Sequence, residues 1–330
     1  MANLHLAIAA DFLLAEKLLE ALENSTLNIA QISAVELEHF GEEHSLRFGT
    51  KAVAQIPLDD VDWSQFSHVL FAGKMAQAEV LASAVQAGCI ILDLYGISAL
   101  IGDVPVIVPS VNNEAIENMR ERNIVALANP QVSQLALALK PLLDQPLTHI
   151  FVSSLLPSAY FGDEKVRELA GQTAQLLNGI PLDADTARVA FDTVPANVQG
   201  EEAKLPFSRA FELQFAKVLP QLTACLTFHS VQVPVFYGVS QMVTVQSNYP
   251  IDSYTLSEQW QQQAWLNVNL EQIITPVKNG ENDDDRQNAL QISQLLEKND
   301  ATVQFWTVAD EQRFSLAFLA VELLKIVLDN

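Results

Sequence analysis

LHLAIAADFLLAEKLLEAL, residues 4–22, reads as a buried strand that runs directly into an amphipathic helix. Residues 4–9 are short, apolar and strand-compatible, and Asp11 stands where a helix N-cap belongs. Leu14, Leu18 and Leu22 recur at helical spacing beside Ala15 and Leu19, with Glu16, Lys17 and Glu20 on the other face. An apolar strand followed at once by a helix is the opening of a parallel βαβ unit.

The pattern repeats outward from there. Residues 68–72 (HVLFA), 89–94 (CIILDL), 105–109 (PVIVP) and 124–128 (IVALA) are further buried-strand candidates, with a helix over 76–86. Residues 1–130 therefore read as a doubly wound α/β domain. The second half differs. Residues 150–155, 187–193, 227–236 and 242–246 are strand-like, Gly238 lies in the turn between the last two, and helices are expected at 165–177 and 208–219. That is an α+β domain with a largely antiparallel or mixed sheet. Residues 314–328 are apolar on most faces, so a helix there must be buried, and its expected place is against the first domain. The expected division is 1–130 plus 310–330 for the first domain and 131–309 for the second.

Composition excludes several classes. The chain has 330 residues, 49% of them hydrophobic, enough for two cores. Lys and Arg number 18 against 40 Asp and Glu, a net charge of −22. A field of that sign repels phosphate backbones and anionic membranes, so neither nucleic acid nor a lipid surface is expected as a partner. Cys89 and Cys225 are far apart and form no CxxC pattern, so neither a disulfide framework nor a metal site is expected. The first residues lack a basic-then-apolar leader, and no apolar run reaches spanning length, so a cytoplasmic protein is expected. Residues 280–286 (GENDDDR) read as a solvated acidic loop rather than a calcium site.

Five segments in one order resemble the aspartate-semialdehyde dehydrogenase family: residues 108–112 (VPSVN), 128–130 (ANP) running to 140–141 (KP), 190–195 (AFDTVP), 233–240 (VPVFYGVS) and 306–313 (WTVADEQR). Among its members they are most similar to the bacterial Usg subgroup. The resemblance covers nearly the whole chain. It implies a Rossmann-like domain closed by the C-terminal helix, plus a central catalytic and dimerisation domain. The family reaction is the reductive dephosphorylation of aspartyl phosphate with NADPH through a thioester on cysteine.

The same alignment implies that the chemistry is missing. The family's nucleophile stands in ANPNCST; here that position is Val132, and a valine has no lone pair with which to attack a carbonyl. The family's base is a histidine at the position of Val239. The arginine that grips the substrate carboxylate corresponds to Gln232, and the phosphate-binding arginine to Ala99. Losing a nucleophile or its base alone costs on the order of a million-fold in turnover. The cofactor turn is altered too. A GxxGxxG pattern lets backbone N–H groups approach a pyrophosphate, and Ile8, Asp11 and Leu14 stand at its three glycine positions. Asp11 would cap the helix itself and repel a phosphate. In place of the family's DNLRKG beside the cofactor stand Asp310, Glu311, Gln312, Arg313, Phe314 and Ser315, with Glu311 adding an acid.

The expected function is accordingly a non-catalytic homologue acting through protein association. A homodimer is implied by the family, a heterodimer with an active dehydrogenase is a further expectation, and no cofactor is expected. The competing readings are an oxidoreductase with altered chemistry that still takes NADP or NAD, and a binding module for a small ligand. Relocated nucleophiles are weak alternatives: Cys89 and Cys225 read as core thiols, and Ser133 has no nearby base. His149 and His229 flank strands and read as satisfied polar groups. Trp260 and Trp265 read as packing residues.

Overall fold

The computed structural model describes residues 4–41, 45–196, 207–281 and 288–330. Most of the acidic loop at 280–286 therefore lies outside the described residues. The chain divides into two compact units, one of Met1–Ser133, Leu213–Pro220 and Ser315–Asn330, the other of Gln134–Glu212 and Gln221–Phe314.

The first unit begins with β1 (Leu4–Ala10), α1 (Phe12–Glu23) and β2 (Ile29–Glu36). A small hairpin of β3 (Arg47–Phe48) and β4 (Lys51–Ala52) follows. Then come β5 (Ala54–Pro57), β6 (His68–Phe71), α2 (Ala78–Gln86), β7 (Ile90–Asp93), β8 (Val106–Ile107) and β9 (Ile124–Leu127). The sheet runs β5-β2-β1-β6-β7-β9-β8 with every pair parallel. The order turns back between β1 and β6, the arrangement expected of a doubly wound domain. Leu6, Ala7, Ile8, Ala9 and Ala10 are all fully buried, which explains why β1 shows no polar alternation.

α3 (Pro130–Leu139) leaves β9 and leads to the elements of the second half. These are β10 (Leu147–Leu156), α4 (Asp163–Leu177), β11 (Val194–Pro195), α5 (Phe207–Val218), β12 (Leu226–Gln232), β13 (Val239–Ser247) and α6 (Ser253–Gln261). β14 (Leu266–Asn269), α7 (Pro276–Gly280), β15 (Leu290–Asn299), β16 (Thr302–Ala309) and α8 (Leu319–Asp329) complete the chain. The second sheet, β11-β12-β10-β13-β16-β15-β14, is mixed: β10 with β12 and β14 with β15 are parallel, and the other pairs are antiparallel. Its two faces differ. On β10, Ile150, Val152, Ser154 and Leu156 are buried, while His149 and Phe151 point to the open face. On the covered face a polar row survives: Gln241 Nε2 donates to Ser154 Oγ at 3.1 Å, and Gln134 Nε2 donates to Thr307 Oγ1 at 2.7 Å.

Some local expectations fail. Residues 187–193 form turns rather than a strand. Gln172 holds them, accepting from the N–H groups of Val189 and Ala190 and donating to the Ala187 carbonyl. Phe191 has φ 59, which an extended strand does not tolerate. The strand expected over 227–236 stops at Gln232, because Val235 N–H turns back to the Val233 carbonyl. The segment Leu213–Pro220, expected in the second domain, lies in the first unit. Two non-local contacts hold it there: Gln214 Oε1 accepts the Asn129 N–H at 2.7 Å, and Lys217 Nζ donates to the carbonyls of Ile101 (2.6 Å) and Val104 (2.8 Å). Residues 315–330 also belong to the first unit, with Leu319, Ala320, Val321, Leu323, Leu324 and Val327 buried on α8. Among the described residues no helix is long and apolar enough to cross a membrane.

Candidate functional site

In the first unit, Ile8, Asp11 and Leu14 meet at the turn from β1 into α1. Asp11 has extended backbone (φ −68, ψ 165), and its Oδ1 accepts the Leu14 N–H at 2.9 Å. That bond satisfies one of the orphan N–H groups of the helix start and sets a negative charge against its positive end. Tyr95 Oη lies 3.5 Å from the other carboxylate oxygen. Ile8 and Leu14 are core residues.

Ala99 is buried in the short turn Ile97–Leu100, which follows Gly96 at φ 65. Asp93 organises this turn and was not singled out in the sequence. Its carboxylate accepts from the N–H groups of Gly96 (2.9 Å) and Ser98 (2.6 Å) and from Ser98 Oγ (2.6 Å). Burial pushes its pKa up, against the pull of those hydrogen bonds, chiefly those from Ser98. The spacing D-x-x-G-x-S is the signal that would have revealed it. Lys217 reaches the end of this turn and is committed to two carbonyls; burial lowers its pKa while Asp103 opposes the shift.

Val132 lies fully buried in the first turn of α3. Its N–H donates to Asn129 Oδ1 at 3.1 Å, so Asn129 caps this helix. A helix start is where a thiol would be acidified. The capped turn is present, and hydrocarbon occupies the position. The neighbouring Ser133 is equally buried, with its Oγ donating to the Ala128 carbonyl at 2.9 Å.

In the second unit, Gln232, Val239 and Glu311 gather at one end of the sheet. Val239 is 0% exposed and packs in a hydrocarbon cluster with Leu156 and Ala196, against which Tyr160 and Phe161 lie. Leu156 pairs with Gln232 across β10 and β12. Gln232 is 3% exposed, and neither its Oε1 nor its Nε2 has a hydrogen-bond partner among the described residues. Glu311 is buried, and its Oε2 accepts the Gly238 N–H at 2.8 Å. Gly238 has φ 94, and a Cβ there would stand 2.9 Å from the Pro276 Cβ, so both conformation and space demand glycine. Tyr237 beside it has its pKa raised, first by burial and then by Asp163, Glu311 and Asp310. Asp310 Oδ1 caps the following turn, accepting from the N–H groups of Gln312 and Arg313.

The remaining thiols and rings are structural. Cys89 Sγ donates to the carbonyls of Trp63 and Phe66, and burial pushes its pKa up. Cys225 Sγ donates to the Leu222 carbonyl, and burial raises its pKa too. Trp260 is buried, donates to the Ala138 carbonyl at 2.8 Å and meets Phe305 edge-on. Trp265 is half-buried and lies beyond the end of α6.

Residues 139–314 match the family model described as "Semialdehyde dehydrogenase, dimerisation domain". A USG-1 protein homolog of Haemophilus influenzae is 45% identical over 327 residues, covering 98% of this chain and 97% of the relative. Aspartate-semialdehyde dehydrogenase 2 of Vibrio cholerae is 32% identical over 254 residues, covering 75% of this chain and 74% of the relative. Among solved structures, aspartate semialdehyde dehydrogenase II from Vibrio cholerae superposes with a TM-score of 0.89 at 26% identity, over 99% of each chain.

Proposed function

We propose a non-catalytic role for this chain, which belongs to the aspartate-semialdehyde dehydrogenase family: it acts by association rather than by turnover. The observation that carries this reading is Val239, a hydrocarbon packed into hydrocarbon at the position that corresponds to the family's base. Val132 at the corresponding nucleophile position supports it, because a capped helix start without a thiol activates nothing. A pyrophosphate is a poor fit to the turn after β1. The Asp11 carboxylate already takes the Leu14 N–H, and Ile8 and Leu14 are locked in the core. We therefore expect neither NADP nor NAD to bind there, and the chemistry a nicotinamide would supply has no partner groups at these positions.

The alternative, an oxidoreductase with altered chemistry, rests on the parallel sheet and its order reversal at β1 and β6, the usual seat of a dinucleotide. Calorimetric titration of the purified chain with NADP and NAD separates the two. Absence of heat and of thermal shift at millimolar nucleotide is expected. Saturable micromolar binding, or turnover of aspartate semialdehyde with phosphate and NADP, would overturn the non-catalytic reading.

The surface for association is the open face of the second sheet. Its outward positions on β12, β10, β13 and β16 include His229, Phe151, Met242, Thr244, Gln304 and Trp306, and none of those positions is Asp, Glu, Lys or Arg. Phe151 is 45% and Met242 58% exposed. Charge depletion with exposed aromatic and methionine side chains is the signature of an interface core. This reading makes the chain a homodimer. A mixed dimer with a catalytic relative is its finer form, tested by co-purifying tagged and untagged partners after mixing.

A further inference from the structure

The outward positions of β12, β10, β13 and β16 lack fixed charge, yet they hold two imidazoles. His149 lies on β10 and His229 on β12, and both are exposed. Strand register sets them on one side of the sheet: Phe151 stands opposite Thr227, and Ser153 opposite His229. His149 stacks flat on Phe151, with ring centroids 5.7 Å apart and planes 7° from parallel, and faces Gln246 on β13. On the β11 side, Pro195 stands opposite Val231. Among the described residues, the outward neighbours on these strands therefore include no carboxylate, ammonium or guanidinium that could pair with an imidazolium. Cys225, which precedes β12, is the further titratable group there. Burial raises its pKa, and its thiol is bonded to the Leu222 carbonyl, so it remains neutral.

We propose that His149 and His229 make self-association through this face acid-sensitive. The inference rests on the reading of the face as the contact between two copies. Imidazole is the side chain whose ordinary titration falls between pH 5 and 8. Covered by a second copy, each ring loses water, which disfavours its charged form. A two-fold contact presents each histidine twice, so like charges accumulate in one buried patch on acidification. The background trend has the opposite sign. Two chains of net charge −22 repel less as carboxylates take up protons, so an acidic dimer without these rings tightens as pH falls. A dimer that weakens on mild acidification thus points to the histidines and not to bulk charge.

The test is sedimentation equilibrium of the full chain at pH 7.5 and pH 5.5 at fixed salt, with circular dichroism confirming that it stays folded. A dimer at pH 7.5 whose Kd rises at least about tenfold at pH 5.5 is expected. The His149→Gln, His229→Gln double variant should still dimerise at pH 7.5 and show a Kd that is flat or lower at pH 5.5. Each single variant should lose part of the effect. A wild-type Kd no higher at pH 5.5, or a double variant that weakens as much as wild type, overturns the inference and leaves the interface standing. Weakening that occurs only with loss of the folded signal also overturns it. A chain that is monomeric at both pH values at 100 µM overturns the inference and the interface reading together.

Discussion

At the end of β1 a carboxylate is bonded into the fold: Asp11 caps α1, and in the same unit Asp93 accepts three hydrogen bonds. Where β12 ends and β13 begins stand a glutamine whose amide has no described partner and a valine sealed among hydrocarbons. One unit holds these positions in satisfied polar structure. The other holds them by packing, and keeps a polar group without a partner among the described residues. The difference follows from place. A helix start offers unpaired N–H groups that reward a short acid, whereas a sheet interior offers saturated backbone, so a side chain there gains only from packing or from a partner side chain of the kind Ser154 has in Gln241.

That contrast can be broken most forcefully at Val239. Val239→His places a larger, polar ring among Leu156 and Ala196, and should lower stability by about 2–4 kcal/mol in denaturant titration. Combined with Val132→Cys it should still yield no turnover; a stable double variant with activity would mean that the cluster is a poised site and not a sealed one. The next largest effect has the opposite sign. Gln232→Met removes a buried amide that has no partner among the described residues, at similar volume, and should raise stability by about 1–2 kcal/mol, visible as a shift of the urea midpoint at unchanged slope. A loss of similar size would mean that the amide is paired, and the two units would then be alike. The smallest effect sharpens the first unit: Asp11→Ala should cost about 1 kcal/mol while Asp11→Ser stays close to wild type. If alanine were neutral, the cap would contribute nothing and the carboxylate would need another explanation.

How much of this was legible depended on how local the cause is. Asp11 could be read because a cap and the periodicity of Leu14, Leu18 and Leu22 lie within one helix. The central strands of the first sheet could be read because burial on both faces leaves unbroken apolar runs. β2 escaped notice since IAQISAVE is only half buried and mixes polar with apolar residues. Residues 187–193 looked like a strand because Val189, Phe191 and Thr193 are strand-prone, but Gln172 on the preceding helix bends them into turns. Gln214 and Lys217 carry no local signal at all; their partners Asn129, Ile101 and Val104 are brought to them only by the finished fold. Val132, Val239, Gln232 and Ala99 could be singled out only through the resemblance, since an isolated valine, glutamine or alanine carries no chemical signal of its own.

α8 gives the molecule a schedule as well as a shape. The first unit draws on Ser315–Asn330, so the core around β1 stays incomplete until that segment has been synthesised, after all of β10–β16. At about 5–20 residues per second, a ribosome leaves that core open for tens of seconds while β10–β16 emerge and pair. The unit begun first is thus finished after the second. A change that disturbs α8 would damage the oldest part of the nascent chain while sparing the later sheet.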